Sequence, residues 1–142
     1  MEKDELQYSY SGGIEKLHKR SVISVTGTYE QSASVLMVDD STIGTLGNFS
    51  ASIGKAKSKK TFNVSAIAAA ALKNGTVLHY RACFPDGKRK ILYVDTEQGK
   101  NHCQIVLNRI LRLAGLPKDC DADNLTMLAL RKYSPEVRLA IT

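Results

Sequence analysis

An alanine-rich stretch set directly behind a lysine-rich loop limits what this chain can become. Residues 61–73 read Thr-Phe-Asn-Val-Ser-Ala-Ile-Ala-Ala-Ala-Ala-Leu-Lys. Alanine is the best helix former, and Asn74-Gly75 supplies a standard C-terminal stop, so a helix is predicted over 61–73. Its small side chains let the helix axis sit close against a sheet. The preceding residues, Gly54-Lys55-Ala56-Lys57-Ser58-Lys59-Lys60-Thr61, bring four lysines to the end where a helix dipole favours anions. Residues 47–53, Gly-Asn-Phe-Ser-Ala-Ser-Ile, alternate apolar and polar side chains, which predicts a strand leading into that loop.

Charge is concentrated in the same region. Residues 55–90 carry nine Lys/Arg against one Asp/Glu, while residues 1–54 carry four against seven and residues 91–142 seven against six. Such a block is either a solvated face or a docking site for a polyanion. The longest apolar run, residues 66–72, is far shorter than the roughly 20 residues needed to cross a bilayer. The acidic start, Met1-Glu2-Lys3-Asp4-Glu5, has no apolar stretch behind a basic segment, so no membrane association and a cytoplasmic location are expected. Cys83, Cys103 and Cys120 are odd in number and lack CxxC spacing, which favours buried structural thiols over a disulfide framework or a zinc site.

Elsewhere the pattern is plainer. Residues 1–20 read as a polar leader with a short helix near 14–19. Residues 22–28 and 34–38 are rich in β-branched side chains and predict two strands, the second followed by a turn at Asp39-Asp40-Ser41. Residues 77–84 and 90–94 flank Pro85-Asp86-Gly87-Lys88, a turn composition that predicts a β-hairpin. Residues 100–114 have a helical apolar period stopped by Gly115-Leu116-Pro117, residues 125–130 read as a strand, and Ser134-Pro135 opens a final helix.

The loop at 54–61 aligns with the phosphate-binding pattern G-x-x-x-x-G-K-[ST], apart from Lys59 at the second glycine place. In that pattern successive backbone N–H groups wrap a phosphate, the lysine reaches the β/γ oxygens, and the hydroxyl behind it ligates Mg²⁺. A helix beginning at the hydroxyl adds its dipole. The plainer alternative is a lysine-rich surface loop between a strand and a helix. A side chain at position 59 adds bulk where the backbone approaches phosphate, and equally adds a cationic contact.

A second element is Ile91-Leu92-Tyr93-Val94-Asp95-Thr96-Glu97, an apolar strand ending in two carboxylates one residue apart. Alternation along a strand would point Asp95 and Glu97 the same way at its C-terminal end, where open α/β sheets bind ligands. One of them could position an attacking water. The alternative is a solvated strand end with Asp95 as a helix N-cap. His18, His79 and His102 fit structural or exposed roles better than ligation or catalysis. Arg109, Arg112, Arg131 and Arg138 fit either solvated faces or a residue reaching a neighbouring subunit's nucleotide.

The stretch from Thr45-Leu46-Gly47-Asn48 through the loop to Phe62-Asn63-Val64-Ser65, followed by Val94-Asp95-Thr96-Glu97-Gln98, resembles the RecA-like branch of P-loop ATPases. The closest likeness is to the AAA-family ATPases of bacterial mobile elements and plasmids, related to hexameric RepA-type replicative helicases. It spans residues 41–142 and leaves 1–40 as an N-terminal β-containing extension. The resemblance implies an α/β fold, a partial RecA-like core with a mostly parallel sheet flanked by helices. It implies ATP and Mg²⁺ as cofactors, bound by Gly54, Lys55, Ala56, Lys57, Ser58, Lys59, Lys60 and Thr61. Lys60 would hold the phosphates, Thr61 and Asp95 the Mg²⁺, and Glu97 the attacking water; a basic residue in place of the second loop glycine is tolerated in this family. DNA as a partner, a role in DNA replication and a homo-oligomer, hexameric in the family, follow from the same likeness.

The family's core continues into a strand bearing the Walker B aspartate, then a sensor residue and further strands, and none of these follows Thr142. The expectation is therefore the N-terminal part of a longer ATPase that binds nucleotide but by itself hydrolyses it poorly. Two alternatives stand beside it. One is a non-catalytic nucleic-acid-binding or regulatory protein that uses the basic segment 55–90. The other is a partition-type ATPase, in which a lysine after the first motif glycine, as Lys55 is here, reaches across a dimer; the missing paired glycines count against it.

Overall fold

The computed structural model describes residues 13–55, 58–117 and 121–142. They form a mixed α/β structure with four helices and six strands, and the chain divides into two units, Met1–Gln31 and Ser32–Thr142. In the first unit, α1 (Ile14–Ser21) is followed by extended chain with a turn at Val25-Thr26. The strand expected over 22–28 is not formed. Val25 is fully exposed, and Ser24 and Tyr29 bond locally instead, the Ser24 N–H donating to the Tyr29 hydroxyl at 2.7 Å. β-branched residues make a strand only where a partner edge is available.

The second unit holds two sheets. Strands β1 (Ser34–Val38), β2 (Ser41–Thr45), β3 (Thr76–Val77) and β4 (Tyr80–Ala82) form an antiparallel sheet in the order β2-β1-β4-β3. Asp39 takes a left-handed conformation in the β1–β2 turn, where its N–H donates to the His79 carbonyl and its carboxylate lies 3.1 Å from His79 Nδ1. That pair ties the tips of two hairpins together. His79 thus sits in a turn rather than in mid-strand.

The core is built on α2 (Lys60–Lys73), whose Ala66, Ala68, Ala69, Ala70 and Ala71 are all buried. Methyl side chains bring this helix close to the sheet strands β3 and β4 on one side and to a second helix, α3 (Lys100–Ala114), on another. Cys103, Val106, Ile110, Leu111 and Ala114 supply the buried face of α3. Asn74 ends α2 in the left-handed region. Its side-chain amide then pairs with the Phe84 backbone, accepting from the N–H at 2.6 Å and donating to the carbonyl at 3.1 Å. A helix stop therefore doubles as a clamp on the chain beyond β4.

β5 (Ile91–Asp95) and β6 (Leu125–Ala129) form a parallel pair, with α3 as the crossover between them. The expected hairpin across Pro85–Lys88 is thus replaced. The turn itself exists, with the Lys88 N–H bonded to the Pro85 carbonyl and Gly87 at φ 77°. But β1 and β3 already occupy both edges of β4, so β5 finds its partner in β6. The mostly parallel sheet that was expected is not what forms: β5–β6 is the one parallel pair among the described residues, and the remaining strand pairs are antiparallel. α4 (Pro135–Ile141) starts at Ser134, whose hydroxyl accepts from the Val137 N–H.

The strand expected over 47–53 is not formed: Gly47 lies in a turn, residues 48–53 have no regular structure, and Phe49 and Ile53 are 97% and 93% exposed. Among the described residues no strand lies against them in the hydrogen-bonding direction. Of the cysteines, Cys103 is buried as expected, but Cys83 is exposed because it follows the inward-facing Ala82 and alternation turns it outward. Cys120 lies outside the described residues. No helix among them is long and apolar enough to cross a membrane.

Candidate functional site

α2 begins at the basic loop, and its N-cap residue is Lys59, at φ 59° and ψ 22°. This left-handed conformation is the one glycine adopts freely and other residues rarely do. The phosphate-loop pattern asks for glycine at this position, and the backbone here has the geometry that makes the requirement intelligible. The Lys59 carbonyl accepts from the N–H groups of Phe62 and Asn63 and opens the helix. No side chain caps this terminus. The N–H groups of Lys60 and Thr61 meet no acceptor among the described residues, and with the positive end of the helix dipole they suit water or an anion.

Gly54 and Ser58 come close together. A Cβ at residue 54 would lie 2.6 Å from Ser58 Oγ, so a side chain there would oblige the Ser58 hydroxyl to rotate away. Lys60 folds back over the loop and donates through Nζ to the carbonyls of Gly54 and Lys55. Ala56 and Lys57 fall outside the described residues. The Thr61 carbonyl accepts from Ser65 Oγ at 2.7 Å, which satisfies the one buried polar side chain of the helix, and the half-buried Thr61 lines the cleft described next.

An open cleft of about 460 Å³ separates the start of α2 from the C-terminal end of β5. Lys60 and Thr61 line it on one side and Asp95, Glu97 and Gln98 on the other, with Val64, Leu92 and Val94 forming an apolar wall. The fold therefore brings the lysine and threonine of the loop to the same space as both carboxylates, although more than thirty residues separate them in the chain. Lys55 and Lys59 belong to the loop but are not part of the cleft lining.

Asp95 and Glu97 reach the cleft differently from the strand alternation expected. β5 stops at Asp95, and Asp95 Oδ1 accepts from the N–H groups of Glu97 at 2.9 Å and Gln98 at 2.7 Å. One carboxylate oxygen thus organises the bend that carries Glu97, leaving Oδ2 as the oxygen outside those two bonds. Glu97 itself is exposed at the cleft rim. Asp95 is not the helix N-cap that the alternative expected: it binds the bend at 96–98, and α3 has Gly99 as its N-cap.

Behind β5, burial pushes the Tyr93 phenol above its ordinary value, with Asp95 adding to the rise and Arg109 opposing it. Burial, with a contribution from Asp95, also raises the Cys103 thiol. Of the arginines, Arg138 is committed to structure, since its guanidinium donates to the carbonyls of Leu130, Tyr133 and Arg131. No cluster of three or more His, Cys, Asp or Glu side chains able to hold a metal occurs among the described residues. Any Mg²⁺ at this site would rely on the Thr61 hydroxyl, a carboxylate oxygen and the ligand's own phosphates, the donor set usual for that ion. The apolar wall of Val64, Leu92 and Val94 was missed from sequence; its signal was the exposed alternate face of β5.

No protein-family model, no curated protein and no solved structure matches this chain.

Proposed function

We propose that the cleft between α2 and β5 binds the phosphates of ATP with Mg²⁺, and that the chain is the nucleotide-binding module of a mobile-element or plasmid DNA-processing ATPase of RecA-like type, related to helicases. The observation that carries this reading is the meeting of Lys60 and Thr61 with Asp95 and Glu97 across one cleft. In this reading the uncapped N-terminus of α2 and the Lys60 ammonium hold the phosphates, and the ammonium exchanges loop carbonyls for phosphate oxygens. Thr61 and Asp95 would hold the Mg²⁺, and Glu97 orients a water for attack on the γ-phosphorus. The metal's contribution is to neutralise charge developing on the phosphate oxygens.

Titration calorimetry of the whole chain with ATP and Mg²⁺ tests the reading. Removing the Lys60 ammonium should cost about 2 kcal/mol, roughly a thirtyfold loss of affinity. Equal affinity for wild type and Lys60→Ala, or no binding by wild type, would overturn it. DNA binding without nucleotide binding would instead favour a non-catalytic nucleic-acid-binding protein that uses residues 55–90.

A further inference from the structure

α3 carries a second surface that the nucleotide reading leaves unused. Its fifteen residues include Lys100, Arg109 and Arg112 and no Asp or Glu. Cys103, Val106, Ile110 and Ala114 face the core, and the opposite side presents Asn101, Gln104, Ile105, Asn108, Arg109 and Arg112. All of these are exposed except the half-buried Arg109. Ile105, Asn108, Arg109 and Arg112 also line a shallow groove of about 290 Å³.

We propose that this face of α3 docks in the major groove of duplex DNA. The composition argues for that partner over others. Carboxamides and guanidinium groups are the side chains that make paired hydrogen bonds to base edges, and Arg109 and Arg112 complement phosphates while no carboxylate on the helix opposes them. A single helix fits the major groove of B-form DNA, whereas the major groove of duplex RNA is too narrow. The face has no aromatic side chain on which unpaired bases would stack, which disfavours single strands. Ile105 is its one large apolar residue, too little for the continuous apolar stripe by which a helix docks on a protein. Docking through α3 uses none of the cleft residues and does not require nucleotide to be bound there.

The test is fluorescence anisotropy of the full chain with a labelled B-form duplex of about two helical turns, over a salt series. Wild type should bind, with affinity falling steeply as salt rises. Arg109→Ala/Arg112→Ala should weaken binding on the order of tenfold or more and flatten the salt dependence by about 0.9 for each phosphate no longer neutralised. Arg112→Lys should restore the salt dependence of Arg112→Ala, which guards against misfolding of the double variant. Gln104→Ala/Asn108→Ala should weaken binding with the salt slope unchanged. Lys60→Ala and the triple variant Lys88→Ala/Arg89→Ala/Lys90→Ala should bind DNA as wild type does, and Arg112→Ala should bind ATP as wild type does. Unaltered DNA affinity in the α3 variants, an equal loss in the Lys60 or 88–90 variants, preference for single strands, or no duplex binding would each overturn the proposal.

Discussion

The Lys60 ammonium donates to the Gly54 carbonyl at 2.5 Å, closing the basic loop on the side chain that follows it. A second bond from the same nitrogen to the Lys55 carbonyl, at 3.2 Å, completes the closure. The loop is therefore held by the residue that the nucleotide reading assigns to phosphate, and ligand binding would exchange one set of oxygen acceptors for another. Lys60→Ala should loosen the loop by about 1 kcal/mol even without ligand, because these are solvent-exposed bonds with modest net value. Limited trypsin digestion should then cut at Lys55 or Lys59 about fivefold faster than in wild type, with the rest of the chain equally resistant.

Lys59 holds a left-handed backbone conformation at the start of α2, which costs a non-glycine residue about 1 kcal/mol. Lys59→Gly should raise stability by up to that amount, and Lys59→Val should lower it, since a branched Cβ tolerates this region least. Urea denaturation of the three proteins checks the order Gly above Lys above Val.

Asp95 organises the bend at 96–98 through two backbone N–H bonds. Asp95→Ala should lose about 1–2 kcal/mol and release Glu97 from its place at the cleft. Asp95→Asn retains an acceptor oxygen and should keep most of that stability while losing the negative charge. In the nucleotide reading, Asp95→Asn should weaken Mg²⁺-dependent binding with little change in the unfolding midpoint, a separation that calorimetry and denaturation together can measure.

Tyr93 has a phenol raised above its ordinary 10.0, chiefly by burial and then by Asp95. A group whose folded pKa lies above its unfolded one stabilises the fold fully below the unfolded value, and that contribution is lost as pH rises through the folded value. Stability should therefore decline from about pH 10 upward, with Cys103, raised from 9.0 by burial, adding a decline that begins about one unit lower. Tyr93→Phe should remove the upper part of the decline, as measured by urea unfolding at stepped pH; an unchanged profile would show that the phenol is not the group responsible.

Ala69 and Ala70 have no exposed surface where α2 meets its neighbours. Ala69→Leu should overpack this contact and cost about 2 kcal/mol or more, despite leucine's good helix propensity. A thermal melt showing the variant as stable as wild type would mean the helix can move outward from the sheet.

Helices and their ends were legible in the sequence because their signals are local. The alanine run with Asn74, the apolar period of α3 with Gly115, and Ser134-Pro135 each act within a few residues, and the corresponding helices begin or end where those signals stand. β1, β6 and the turn at Asp39 were legible for the same reason. Lys60, Thr61, Asp95 and Glu97 could each be singled out by residue type and spacing. What no local signal contained was which strand edges would be free. Tertiary structure filled both edges of β4 and sent β5 to pair with β6, and it left residues 48–53 and 22–28 without the partner that their alternation or branching would need. It also turned Asp95 onto the backbone N–H groups of Glu97 and Gln98, so that a bend and not strand alternation carries Glu97 to the cleft. Capping and periodicity are decided by neighbours along the chain, whereas edge pairing is a competition among segments tens of residues apart, settled by whichever edges remain open once the core has closed.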